Sequence, residues 1–390
     1  MKGLSDFALR IDGQPMFKVL QKVLELEKRG RDIIHFEIGD PDFRTPANIV
    51  NAACESLQQG HTNYTSSYGV ADFRETVRIA TLNSRGFKPE IDQVLITPGA
   101  NIAIFYAIAC LVDPGFEVVV PDPGFPTYYS TIKMCDAIPV RVPLREENEF
   151  RMSPEDIEAA ITDKTRLIII NSPNNPTGAV MTSEEIEEIY RIAEKHDLYL
   201  YSDEIYSRMI YAKGGFSTPS KFDSCKERVI VSNGFSKAFA MTGWRLGAVI
   251  APNDVIERMA LLLQTTSSCV SPFIQYAGIE AISGDQTEVT GMMSTYEKRR
   301  DMLVEGLNAI PGISCLKPGG AFYAFPNITG LGMTSEQVAE YFLNDAGVAV
   351  LPGTNFGNQG QGYIRICYSN SEENIQQGIE RMKHAVGKLK

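Results

Sequence analysis

The sequence lacks the patterns that mark a metal site, a disulfide framework, a nucleic-acid partner or a membrane span. Its seven cysteines (54, 110, 135, 225, 269, 315 and 367) are widely separated and odd in number. None forms a Cys-x-x-Cys pair, which excludes a zinc knuckle or a thioredoxin-type site. Small thiols kept reduced inside a core are the expected state. The four histidines (35, 61, 196 and 384) have no metal-ligand spacing, so no metal is expected. There is no basic tract, and the formal net charge is −11. That excludes the electrostatic footprint of a nucleic-acid or anionic-membrane binder, while leaving room for a small anionic ligand held by local positive charge. No apolar run approaches the ~20 residues that span a bilayer. Met1 to Gly13 has no apolar signal-peptide core. A cytoplasmic protein is expected.

What is present is an α/β rhythm. A chain of 390 residues, 44% hydrophobic and 22% charged, is too long for one core and suggests about two domains. Buried runs at 94–97, 118–120, 139–143, 167–171, 198–202, 229–232 and 246–250 are mostly separated by helical patterns at 100–111, 125–134, 153–161, 182–196 and 252–264. This alternation predicts a mostly parallel sheet sandwiched by helices, with ligands at the carboxyl ends of the strands. A long helix over about 252–282 and a second over 285–309 lead to a smaller α+β domain. Its expected strands lie near 313–316, 321–325, 347–351 and 362–367, and its helices at 334–345 and 371–389. The expected division is an N-terminal arm and part of the small domain (1–45), a large α/β domain (46–285) and a small domain (286–390).

Polar or otherwise unusual segments follow five of the buried strands. Lys237 sits in a loop among Phe235, Ala238, Phe239, Ala240 and Met241. Such a lysine either snorkels or is desolvated, and desolvation lowers its pKa toward a reactive amine able to form Schiff bases. Arg245, eight residues on, offers a fixed charge for a phosphate. Gly99, Ala100 and Asn101 open a helix after a strand, which suits phosphate but also describes an ordinary turn. Asp203 ends an apolar run and must be paired, with a protonated ring nitrogen, an arginine or a helix terminus. Tyr206 is three residues beyond it. Asn175, in Pro-Asn-Asn-Pro-Thr-Gly, either faces a ligand hydroxyl or simply forms the turn. Phe125 stacks on a flat ring or belongs to the core. Arg365, centred in a strand pattern, calls for a carboxylate, from a substrate or from an internal salt bridge.

Asn175-Pro-Thr-Gly178, Asp203-x-x-Tyr206, Ser236-Lys237 with Arg245, and Arg365 occur in the order and spacing of the class I/II aminotransferases. The sequence resembles these fold type I, pyridoxal 5'-phosphate enzymes, which include aspartate aminotransferase, from Gly39-Asp-Pro-Asp42 to Arg365. The resemblance implies a homodimer that exchanges amino groups between an L-amino acid and a 2-oxo acid. It implies that Lys237 forms the Schiff base and acts as the base, that Asp203 pairs with the ring nitrogen, and that Tyr206 and Asn175 meet the ring oxygen. Phe125 would stack on the ring. Arg245, Ser236 and the amides of Gly99, Ala100 and Asn101 would hold the phosphate. Arg365, helped by the backbone at Gly39, would take the substrate carboxylate. Tyr64 would cross to the neighbouring subunit's phosphate. Gly234 departs from the family, which often has Ser or Thr there.

The same residues would serve a carbon–sulfur β-lyase on this scaffold. A ligand-sensing module of a transcription regulator is disfavoured by the missing basic patch and by the short stretch ahead of the matching region. Met16, Phe17, Tyr64 and Phe322, together with loops from the partner subunit, are expected in the walls that choose the side chain. No motif places a second arginine for a dicarboxylate.

Overall fold

Seven β-branched or apolar runs assemble into one sheet in the computed structural model, which describes residues 3–212 and 214–389. The strands are β1 (Val94–Thr97), β2 (Glu117–Asp122), β3 (Ile138–Pro143), β4 (Thr165–Asn171), β5 (Tyr199–Asp203), β6 (Val229–Gly234) and β7 (Gly247–Ile250). Their order across the sheet is β1-β7-β6-β5-β4-β2-β3. Only β7 is antiparallel to its neighbours, β1 and β6; the remaining pairings are parallel.

Successive side chains of a strand point to opposite faces, so both faces of this sheet are apolar. Leu95, Val118, Val120, Leu167, Ile169, Ile230 and Val249 share one core with helices Ala100–Leu111, Pro126–Met134 and Asn253–Ser267. Ile96, Val119, Ile168, Ile170, Leu200, Val231 and Ile250 belong to another with Ala71–Arg85, Ser183–Lys195 and Pro272–Ser283. This is the expected α/β sandwich. Among the described residues no helix is long and apolar enough to cross a membrane.

The helix expected over 252–282 is two helices, Asn253–Ser267 and Pro272–Ser283. Ser268 ends the first at φ 63°, and Pro272, which has no N–H to donate, starts the second. The helix expected over 334–345 is regular only for Ser335–Tyr341 and then widens through Phe342–Ala346. Near 313–316 there is only an isolated bridge, Ser314 to Asn327.

The C-terminal third is built on a three-stranded sheet of β8 (Tyr323–Ala324), β9 (Leu351–Pro352) and β10 (Ile364–Cys367), with β10 central and both pairings antiparallel. The N-terminal segment joins this part. Ile34 and His35 pair in parallel with Val348 and Ala349, and Cys367 N donates to Phe36 O at 2.9 Å. Gly39 is thereby carried alongside the strand that holds Arg365.

Candidate active site

The carboxyl ends of β1, β2, β4, β5 and β6 lie at one edge of the sheet, and β7 brings its amino end there because it runs the other way. Arg245, just before β7, therefore arrives beside Gly99, just after β1. A cavity of about 500 Å³ opens at this edge. Its wall includes Gly39, Ala100, Asn101, Phe125, Asn175, Asp203, Tyr206, Ser236, Lys237, Arg245 and Arg365. Eleven of the thirteen residues expected in the site are thus brought together. Gly99 is the twelfth; it adjoins Ala100 and packs on Arg245 so closely that a Cβ there would overlap the guanidinium. Tyr64 is not in this wall. It is 87% exposed, on a loop whose Thr65 N donates to Cys269 Sγ at 3.5 Å, in the break between the two helices.

The Lys237 ammonium donates to Gly39 O and stands 5.6 Å from the centre of the Phe322 ring. Burial lowers its pKa from 10.5 to about 8, opposed by Asp40 and Cys367 and reinforced by the charges of Arg365 and Arg245. It is desolvated rather than snorkelling. Asp203 is 5% exposed. Its Oδ2 accepts from Tyr128 Oη at 2.7 Å and its Oδ1 from Ile205 N at 3.2 Å. Burial raises its pKa from 3.8 to about 6 despite these two donors, because no lysine or arginine among the described residues pairs with it. An unpaired buried carboxylate at a cleft can receive a cation.

Tyr206 Oη lies 2.8 Å from Tyr323 Oη, both in the interior, and burial pushes the Tyr206 phenol well above its ordinary pKa. Asn175 is oriented by two contacts. Its N–H donates to Asn171 Oδ1 at 2.9 Å, and its Oδ1 accepts from Arg365 Nη1 at 3.2 Å.

Arg365 is fully buried. Besides Asn175 it donates to Glu37 O, and its guanidinium carbon lies 4.6 Å from the Tyr323 ring centre and 4.9 Å from that of Phe356. Its Nε has no partner, and no carboxylate among the described residues forms an ion pair with it. The internal salt bridge left open by the sequence is absent there. A buried guanidinium with a free donor is poised for an incoming carboxylate.

At the other end, Gly99 has φ 85° and stands at the N-terminus of Ala100–Leu111, where free amides and the helix dipole favour an anion. Arg245 Nη1 donates to Thr242 O at 2.8 Å and makes no ion pair among the described residues. Phe125 packs edge-on against Tyr128, ring centres 5.7 Å apart.

The walls differ from expectation in two positions, one of them Tyr64, which lies outside them. Met16 and Phe17 do line the cavity, but Tyr323 takes the place foreseen for Phe322, which is fully buried beneath Lys237. The neighbouring positions point opposite ways, and the sequence did not reveal which faced inward. Tyr128, Tyr323 and Asn171 were missed altogether. The one available signal was the polar, aromatic composition of Pro126-Thr-Tyr-Tyr129 and Phe322-Tyr323 beside loops already implicated.

The sequence and fold resemble those of known proteins. The family described as "Aminotransferase class I and II" matches residues 31–382. The chain is 42% identical over 369 residues to an aspartate aminotransferase of Pyrococcus horikoshii, covering 94% of each. It is 38% identical to aromatic-amino-acid aminotransferase 2 of Thermococcus litoralis, covering 95% of this chain and 96% of that protein. Thermus thermophilus aspartate aminotransferase, solved with maleate, superposes with a TM-score of 0.94 at 35% identity over 99% of this chain and 100% of the other. The chain belongs to the class I and II aminotransferases and is a pyridoxal-phosphate-dependent transaminase.

Proposed function

We propose that Lys237 anchors pyridoxal phosphate covalently at this edge and that the enzyme transfers amino groups from L-amino acids with uncharged side chains to 2-oxo acids. The residues fit the cofactor part by part. Asp203, a carboxylate with no cation, suits a protonated ring nitrogen. Tyr206 and Asn175 suit the ring oxygen, and Phe125 offers an aromatic neighbour to the ring. Gly99, the amides of Ala100 and Asn101, Ser236 and Arg245 suit the phosphate. When bound, the cofactor supplies an electron sink for bond breaking at the substrate Cα.

The chain's own residues do the rest. Arg365, with the backbone at Gly39, holds the substrate carboxylate and so fixes which bond at Cα faces Lys237. The lowered pKa of Lys237 provides neutral amine near physiological pH, suited to take the Cα proton at Nζ and hand it on. Asp203, kept dry by Tyr128, holds the opposite end of the site at negative charge. The observation that carries this reading is that two uncompensated buried charges, Asp203 and Arg365, line one cavity with a desolvated lysine. The family match and the aminotransferase relatives favour transfer over carbon–sulfur lysis.

The preference for uncharged side chains rests on the wall. Among its described residues the cations are Lys237, Arg245 and Arg365, each already engaged in this scheme, while Gln14, Met16, Phe17 and Ile38 are neutral. Tyr64 is assigned to the phosphate of a partner in a homodimer, consistent with its exposure. Seven unpaired cysteines support a reducing, cytoplasmic setting.

The test is a donor screen on the purified enzyme, following the visible cofactor band in single turnover. Leucine or phenylalanine should exceed aspartate in kcat/KM by about tenfold or more, the scale of one discriminating contact. Aspartate as the best donor would overturn the side-chain assignment. Lys237→Ala should bind the cofactor without turning over, and full activity in that variant would sink the proposed anchor. An active enzyme that remains monomeric would refute the role given to Tyr64.

A further inference from the structure

The carboxylate receptor is held from an unexpected direction. Asp122 ends β2, beyond the reach of any ligand contact described above, and is 3% exposed. Its carboxylate does not face the cavity. It accepts from the backbone of the loop Gly353–Gly360, which follows β9: Oδ2 from Asn358 N at 3.2 Å and Oδ1 from Gln359 N at 3.1 Å. Arg141 Nη1, from β3, lies 3.3 Å from Oδ2. Gly357 has φ 140°, and a Cβ there would overlap Asp122 Oδ1. Two further contacts fasten the same loop. Gly124 N donates to Phe356 O at 2.8 Å, and Tyr129 Oη lies 2.6 Å from Pro121 O and 3.1 Å from Phe356 O.

The residue so fastened is Phe356, whose fully buried ring is one of the two against the Arg365 guanidinium. Phe125, which lines the cavity, directly follows Gly124. One clasp therefore sets the spacing between the large sheet's ligand edge and the aromatic backing of Arg365.

We infer that Asp122 is a positioning residue for substrate-carboxylate binding, acting through the Gly353–Gly360 loop and Phe356 on Arg365. This rests on Arg365 as the carboxylate receptor. Asp122 touches neither substrate nor cofactor in this scheme. A charge-assisted hydrogen bond to a backbone N–H is worth enough that its loss gives roughly a tenfold change.

The experiment is equilibrium titration of the holoenzyme with 3-phenylpropanoate, a carboxylate that cannot react. Asp122→Asn keeps the size but presents an NH2 to a backbone donor or to Arg141. It should weaken binding about tenfold while pyridoxal phosphate affinity stays as in the parent. Phe356→Leu should weaken it similarly. The double variant should be little worse than either, because the two act in one chain of contacts. Gly357→Ala opens the clasp from its other side and serves if Asp122→Asn does not fold. Arg365→Met separates the two ideas. If it leaves binding unchanged, the receptor assignment fails. If it weakens binding while Asp122→Asn and Gly357→Ala do not, the clasp fails and the receptor stands. Additive effects of Asp122→Asn and Phe356→Leu would also overturn the clasp.

Discussion

Replacing Arg365 by methionine should pull affinity and stability in opposite directions. The side chain is fully buried with a partnerless Nε, and its compensation is two carbonyl-type acceptors, Asn175 Oδ1 and Glu37 O, plus two aromatic rings. Hydrogen bonds to charged groups contribute about 1.5–3 kcal/mol each. A carboxylate held by two of them loses about 3–6 kcal/mol when the guanidinium goes, or roughly 10²- to 10⁴-fold in kcat/KM. In the protein without substrate the balance reverses. A buried charge lacking a counter-ion is costly, and apolar replacements of similar volume for buried ionic groups often stabilise by about 1–4 kcal/mol. At a few degrees or less per kcal/mol for a chain this long, the Tm of the cofactor-free enzyme should rise by about 1–5 °C. Steady-state kinetics and thermal scans of the same preparation measure both. A fall in Tm would mean that the guanidinium is a structural post held by Asn175 and Glu37, and the reasoning that reads its empty donor as a receptor would be wrong.

Other expectations follow the same physics. For Lys237 the folded pKa, about 8, lies below the unfolded 10.5, so the unfolded chain binds more protons between those values and stability rises with pH across that window. Below about pH 8 the cost of burying the ammonium is present in full, so cofactor-free Lys237→Met should be more stable than the parent at pH 7 and lose that advantage by pH 10.5; equal pH profiles in denaturant titrations would contradict the desolvated lysine. Asp203, raised from 3.8 to about 6, has the opposite sense: the folded state holds the extra proton, and cofactor-free stability should fall as pH rises from about 4 to 6. Asp203→Asn should abolish that slope and lower kcat by at least about a hundredfold, the scale of losing a charge from a catalytic site; a retained slope would place the titration elsewhere. Gly99→Ala forces a Cβ into Arg245 at φ 85° and should weaken cofactor binding at least about tenfold, more than the kcal/mol or so of backbone strain alone; unchanged affinity would remove Gly99 and Arg245 from the phosphate cradle.

The large sheet was legible because its strands are continuous β-branched runs buried on both faces, and the site was legible because chemistry-bearing residues follow those strands. Direction was not. The run before Ile250 announced a strand, but nothing local said that it runs backwards, which is what returns Arg245 to Gly99. The break at Ser268 was hidden by apolar residues continuing at helical spacing on both sides of it. Strands were expected near 321–325 and 347–351, but two-residue runs such as Tyr323–Ala324 and Leu351–Pro352 are too short for a periodic signature to fix their bounds. Tyr128 and Asp203, and Tyr323 and Tyr206, meet across 75 and 117 residues of sequence, a distance over which composition carries no pairing information.

The reversed strand also imposes a schedule on the newborn chain. β1 is hydrogen-bonded in the sheet to β7 alone, whose residues are made about 150 positions later. At about 5–20 residues per second, roughly seven to thirty seconds separate the synthesis of the glycine from that of its arginine. Through that interval β1 and the start of its helix have no ladder to join, and closing so long a loop must precede any reward from pairing. If Gly99 and Arg245 form the phosphate cradle proposed above, a growing fragment that ends before Arg245 holds only half of it. A truncated product ending before β7 would carry an unsatisfied sheet edge.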